Sequence, residues 1–227
     1  MTPVIITYRQ EVFMMGSAAD RAKVDKAVQG VRDEILSGGL APGTTVTVSG
    51  LASRFGTEDA LMHQAVSALA DEGLIEAEGH EHRIANLGRQ QAVQLLDVMG
   101  VVLVALFERA APRLSAGEID RMATLVGELR TALAHEDMLA SHRANDGLVG
   151  IILQAGDHQE LRDVNTHVLG RSLARLHLFQ HAVAYPIWTD GWDETVQYLQ
   201  RGQPEAAVER LRRTFWILAE ELAPESS

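Results

Sequence analysis

Apolar residues at Val24, Ala27, Val28, Val31 and Ile35 recur at helical spacing, predicting a helix over Ala18 to Leu36. Gly38-Gly39 ends it, and Pro42-Gly43 sets a tight turn. Two short helical segments follow, separated by Phe55-Gly56, and Thr47-Val48-Ser49 offers a cap to the first. The second is predicted from Thr57 to Asp71, with Thr57 as its cap. Glu58 and Asp59 then fall in the first turn, where carboxylates suit the helix dipole. Gly73 leads into a two-stranded hairpin that ends at Leu87 and has Gly79-His80-Glu81-His82 at its tip.

Near Gly88 the pattern changes to long helical periods, which places a domain boundary there. Gln90 to Ala111 is one apolar helix stopped near Pro112, and Ser115 with Glu118 forms a capping box that opens a helix to about His135. Further helices are expected over Glu136 to Gln154, His158 to Ala184 (ending before Pro186), Trp188 to Arg201 and Pro204 to Leu222. Residues 1–16 carry no strong period beyond an extended-type run at Val4 to Tyr8. They are expected to be a poorly ordered leader, with Met14 and Met15 as alternative starts. The fold class is mostly α, divided into 1–16 (leader), 17–87 (helices and hairpin) and 88–227 (all-helical).

Composition agrees with this pattern: 46% of the 227 residues are hydrophobic and only 5% aromatic. The absence of cysteine excludes disulfides and thiol catalysis. The longest apolar run, Val98 to Phe107, is too short to span a bilayer, and no basic segment followed by an apolar core opens the chain. The expectation is a cytoplasmic protein without a membrane partner. Charge complicates a nucleic-acid role, because the formal net charge is -11 and Ser17 to Leu87 holds six Lys/Arg against eleven Asp/Glu. Affinity for nucleic acid comes largely from cations that displace counterions from phosphates.

Ile35-Leu36, Gly38, Leu40, Pro42-Gly43, Leu51-Ala52, Gly56, Ala65 and Asp71-Glu72-Gly73-Leu74-Ile75 together carry a resemblance. Over Val31 to Ile75 the chain resembles the N-terminal winged helix-turn-helix of the GntR family of transcription regulators. The helix order beyond Gly88 and the turn from Gln203 to Val208 are similar to the FCD effector domain of one GntR subfamily. The resemblance implies a homodimer that binds DNA half-sites and a small effector.

Where the family commonly reads V-S-R-T-P-V-R-E-A-L, this chain reads Thr57-Glu58-Asp59-Ala60-Leu61-Met62-His63-Gln64-Ala65-Val66. Asp59 and His63 stand at the arginine positions and Glu58 at the serine. The remaining candidate readers are His63, Gln64 and Ser67, with Arg54 on a phosphate and Arg83 (or His80 and His82) at the wing. In the FCD half, the family's metal-binding aspartate is kept as Asp146. Its histidine partner falls at Gly150, and the two late histidines fall near Trp192 and Thr214. The R-x-x-L-E pattern that helps hold acidic ligands appears as Gly100-Val101-Val102-Leu103-Val104. A polar, metal-centred pocket is thus expected to have become apolar, with no metal and no cofactor.

Candidate walls of that pocket are Met99, Leu103, Phe107, Phe179, Trp188, Trp192 and Trp216, although aromatic residues at helical spacing are most often plain core. His167, His177 and His181 share one broad helical face bordered by Arg171, and His177 and His181 with Asp146 are candidate acid-base groups or ligand contacts. Three functions follow. One is a ligand-responsive regulator. The second is a homologue without DNA binding that acts as a metal-independent cyclase or isomerase on a hydrophobic metabolite. The third is a ligand-sequestering partner.

Overall fold

The computed structural model describes residues 18–78, 81–164 and 184–223. The first helix, α1 (Ala18–Leu36), turns Val24, Ala27, Val31 and Ile35 inward. Strand β1 (Thr45–Val46) precedes α2 (Val48–Phe55) and α3 (Asp59–Asp71), and β2 (Ile75–Glu78) pairs with β3 (Glu81–Ile84). β1 adds antiparallel to β3, giving a three-stranded sheet in the order β1-β3-β2. The hairpin was legible in the sequence but β1 was not, since two residues are too few to show alternation. Leu51, Met62, Ala65, Leu69, Leu74 and Ile84 close one core beneath α1.

Thr47 caps α2 as expected, its side chain accepting from the Gly50 amide 3.1 Å away. Gly56 ends α2 in the left-handed region at φ 62°, a conformation that costs glycine least. Thr57 is not the cap of α3. Its amide donates back to the Ala52 carbonyl at 3.0 Å, so it belongs to the closing turn of α2, and α3 begins one residue later with Glu58 at its N-cap.

The helical half comprises α4 (Arg89–Ala110), a 3-10 turn at Ala111–Arg113, α5 (Ala116–Ala134), α6 (Met138–Ala155), α7 (Gln159–Val164), α8 (Ala184–Gln200) and α9 (Pro204–Leu222). The capping box forms: the Glu118 amide donates to Ser115 Oγ, while the Ser115 amide donates to the Glu118 carboxylate at 2.8 Å. Helix α6 is capped by Asp137, one residue after Glu136, which sits at φ 56°. The end expected for the helix from His158 falls outside the described residues. Pro186 lies within α8, whose described part begins at Ala184. Helix α9 packs on α8 and α4, α5 packs on α6 and α8, and α6 returns to α4. Five helices thus form a closed ring around a second core running from Leu96 to Leu222.

Candidate nucleic-acid interface and effector core

Helix α3 buries Leu61, Met62, Ala65, Val66 and Leu69. The opposite stripe (Ala60, His63, Gln64, Ser67 and Asp71) is exposed. The structure therefore brings three sequence-predicted readers, His63, Gln64 and Ser67, onto one solvent-facing stripe. Glu58 and Asp59 stand at the N-terminal end of that stripe, with Lys23 of α1 at 4.0 Å from Glu58.

The two arginines are placed differently. Arg54 is ion-paired with Glu34 of α1. Arg83 sits on the central strand, opposite Thr45 and Glu76, and is half-buried rather than at the wing tip. His82 faces Val46 and Ala77, its Nδ1 buried and without a hydrogen-bond partner among the described residues. Gly79 and His80 lie outside the described residues. Arg32 is also engaged, by Glu72, while Arg21 and Lys26 stand exposed on α1.

Helix α6 has two working faces. Towards the winged helix, Arg143 lies 3.6 Å from Asp33 of α1. His142 Nε2 lies 3.3 Å from Asp146 Oδ2. Burial pushes the His142 imidazole below its usual range, against the pull of the Asp146 carboxylate. Partial burial in turn raises Asp146, opposed by His142 and Arg32. The carboxylate predicted for an effector pocket is therefore turned towards the winged helix. Towards the helical core, Asn145 accepts a 2.9 Å hydrogen bond from Trp188 Nε1. Neither His142 nor Asn145 was singled out from sequence. The available signal was polar residues on a stripe shared with Ala144, Leu148 and Ile152.

In the core, Met99, Leu103, Phe107 and Trp192 are fully buried. Trp192 stands edge-on to Phe107 at 6.4 Å and to Trp188 at 5.7 Å, and Trp188 meets Phe215 at 5.3 Å. Trp192 Nε1 is buried and has no hydrogen-bond partner among the described residues. Trp216 is at the surface instead, 58% exposed. His167, Arg171, His177, Phe179 and His181 lie outside the described residues.

At Gly100, Trp192 and Thr214, where the resemblance implies polar groups, the structure has close packing, whereas Gly150 is open. A Cβ on Gly100 would sit 3.1 Å from Phe215, so the residue at the arginine position allows α9 to approach α4. Thr214 packs directly on Gly191, whose added Cβ would meet Thr214 Oγ1 at 2.3 Å. A Cβ at Gly150 would meet nothing within 4 Å. Asp146, Gly150, Trp192 and Thr214 offer one carboxylate and one hydroxyl, which does not fit a divalent-metal centre. Among the described residues, no three His, Asp or Glu side chains group closely enough to share an ion.

A winged helix-turn-helix joined to a closed helical bundle defines a class, the GntR-type transcriptional regulators. Residues 94–215 match the FCD domain, and the chain belongs to that family. Among solved structures, it is similar to a putative GntR transcriptional regulator from Rhodococcus sp. RHA1, with TM-score 0.74 and 14% identity over 91% of this chain and 100% of that one. It is also similar to E. coli McbR/YncC, with TM-score 0.69 and 14% identity over 88% and 98% of the two chains. Lar, which controls expression of the Listeria monocytogenes agr system, follows at TM-score 0.54 and 14% identity over 91% and 97%. At these identities the likeness is one of fold. No curated protein matches the sequence significantly.

Proposed function

We propose that this protein is a homodimeric regulator that reads DNA through the His63-Gln64-Ser67 stripe of α3. In this reading residues 17–87 are the DNA head, and residues 88–227 bind a small, largely apolar effector in the helical core. The observation that carries it is the Trp192 indole N–H, fully buried among Met99, Leu103, Phe107 and Trp188 with no partner among the described residues. A buried donor left unpaired costs about 1–3 kcal/mol, so an acceptor on a ligand would recover that cost where an all-hydrocarbon ligand would not. The effector is thus expected to be apolar with one oxygen acceptor. Helix α6 connects the two halves, since Asn145 holds Trp188 while His142 and Arg143 meet the winged helix. The test is titration of the purified chain against duplexes from its own promoter at several salt concentrations, with and without small-molecule extracts of its source cells. A specific, salt-dependent shift altered by the extract is expected; non-specific binding alone overturns the DNA part.

One arrangement favours a second reading, in which the helical core works without the DNA head. Glu58 and Asp59 occupy the N-terminal end of α3, where they would repel phosphates, and the nearby Arg54 is held by Glu34. In that case Asp59→Arg with His63→Arg creates DNA binding where the wild type has none. The core would then act as a metal-independent cyclase or isomerase, which conversion of a bound metabolite would reveal.

A further inference from the structure

Helix α3 carries no arginine or lysine, the side chains that most often read guanine through its O6 and N7 atoms. Its exposed stripe holds other chemistry. At about 3.6 residues per turn, Asp59 and Gln64 stand on opposite edges of that stripe, about 140° apart around the helix axis, with His63 and Ser67 between them. Ala60 shares the Gln64 edge, one turn earlier. We propose that α3 reads an operator half-site in which Asp59 accepts from a cytosine amino group and Gln64 pairs with an adenine, with Ala60 against a thymine methyl. The proposal rests on the DNA-reading function above and names the bases that this site selects.

The side chains themselves select these bases. Asp59 is exposed and has no ion-pair partner among the described residues, whereas the neighbouring Glu58 is drawn towards Lys23 at 4.0 Å. A carboxylate accepts hydrogen bonds and does not donate them, and in the major groove cytosine offers it the N4 amino group. Adenine also carries an amino group, but its N7 acceptor lies alongside and would face the carboxylate with no hydrogen between them. Gln64 is the complement of that pattern. Its amide both donates and accepts, matching adenine N7 and N6 together, and it is exposed with no partner among the described residues. The Ala60 methyl on the same edge suits the C5-methyl of thymine.

Spacing fits as well. At about 1.5 Å per residue, Asp59 and Gln64 are about 7.5 Å apart along α3, close to two base-pair steps of about 3.4 Å. A helix lying along the groove therefore sets the cytosine and the adenine about two base pairs apart. The arrangement also gives the acidic start of α3 a use. A carboxylate beside the phosphates at the groove rim is repelled, but one aimed at the groove floor finds a donor. Affinity falls while selectivity is kept.

The test enriches a randomised duplex library on the full chain at low salt. The selected duplex and its single-base variants are then titrated against wild type, Asp59→Asn and Gln64→Ala, which alter exposed positions, with circular dichroism to check that the fold is kept. Enriched half-sites are expected to hold a cytosine and an adenine about two base pairs apart, and exchange of either base should weaken wild-type binding by about 10-fold. Gln64→Ala should flatten the preference at the adenine alone. Asp59→Asn should bind every duplex more tightly, since one negative charge is lost, and should move the preference at the cytosine towards adenine, which an amide reads. A uniform change in affinity or a loss of helix stability, with the base preference unmoved, overturns the role of Asp59. Enriched sites led by guanine and indifferent to both substitutions leave the DNA-reading function standing and overturn this proposal. If wild type enriches no sequence, the DNA-reading function and this proposal fail together.

Discussion

Asp146 Oδ2 approaches His142 Nε2 to 3.3 Å, one turn apart on α6, where Arg32, Asp33 and Glu72 of the winged helix meet the helical half. The imidazole side chain is only 11% exposed, and the carboxylate is half in solvent. The contact lies where the helix that carries Asn145 meets the part of the head that ends α3. A titration at His142 therefore reports on the junction.

Burial lowers the His142 pKa first, the Asp146 charge raises it, Arg32 lowers it, and Asp33 and Glu72 raise it, with a net downward shift. The unfolded chain takes up this proton near the ordinary value of about 6.5, before the native chain does. The group's contribution is therefore fully present above about pH 6.5 and lost as pH falls towards the depressed native value. Asp146, shifted upward by partial burial, has the opposite sense. Its contribution is present below the unfolded carboxylate value of about 3.9 and is lost as pH rises through the native one. Urea unfolding between about pH 5 and 7.5 should show a fall in wild-type stability on acidification that is shallower in His142→Gln. Equal slopes in both proteins would refute the assignment to His142.

Arg32 donates from Nε to Glu72 at 2.9 Å and from its second nitrogen to the other carboxylate oxygen. The pair fastens the end of α3 to α1 with both side chains less than a third exposed. Forked arginine-carboxylate geometry holds better than a single surface contact, so a coupling of about 1 kcal/mol is expected. A double-mutant cycle with Arg32→Ala and Glu72→Ala in chemical denaturation measures it. A coupling energy indistinguishable from zero would mean that the clamp positions α3 without stabilising it.

The sequence was most informative where one stripe of residues decides the structure. Val24 to Ile35 placed α1, Ser115 with Glu118 opened α5, and Gln203-Pro204 opened α9, all through local spacing and capping. It was least informative where chain neighbours compete. Thr57 could cap α3 or close α2, and only the Ala52 carbonyl at 3.0 Å settles which. For the site, exposure of His63, Gln64 and Ser67 followed from helical period. The capture of Arg54 by Glu34, twenty residues earlier, depends on how α1 crosses α2, which no local pattern records.

That capture leads to a gain-of-function test. Glu34→Gln should free Arg54, near the end of α2, and remove one acidic charge from the head. DNA affinity at low salt should rise, and the slope of log affinity against log salt should steepen by about one phosphate contact. Arg54→Ala in the same background should return both to wild-type levels. If Glu34→Gln leaves affinity and slope unchanged, Arg54 does not reach the phosphates.

Helix α8 packs closely on α9 at Gly191, where an added Cβ would lie 2.3 Å from Thr214 Oγ1 and 2.4 Å from its Cγ2. Thr214 is fully buried and accepts from Arg210 at 2.7 Å, so it has little room to turn away. Gly191→Ala should therefore destabilise the helical half by about 1–3 kcal/mol, although alanine is the better helix former. Thr214→Ala in the same chain removes the two nearest atoms but leaves its own Cβ at 2.9 Å, so only part of the loss should return. Denaturation midpoints for the four proteins measure this. Full independence of the two substitutions would show that the helices separate at little cost.

Trp192→Phe sets two opposing effects against each other. The smaller ring leaves space beside Phe107 and Trp188, a loss of packing of about 1–2 kcal/mol. It also removes the buried indole donor that has no partner among the described residues, a recovery of about 1–3 kcal/mol. Apo stability should therefore stay within about 1 kcal/mol of wild type, an unusually small change for a fully buried tryptophan. Effector binding should weaken by roughly 10-fold or more, since the ligand acceptor then loses its donor. Thermal unfolding of both proteins, alone and with extract fractions that shift the wild type, reads the two consequences together. A loss near 4 kcal/mol in the apo protein would place the value of Trp192 in packing alone and remove the main support for an effector acceptor at that nitrogen.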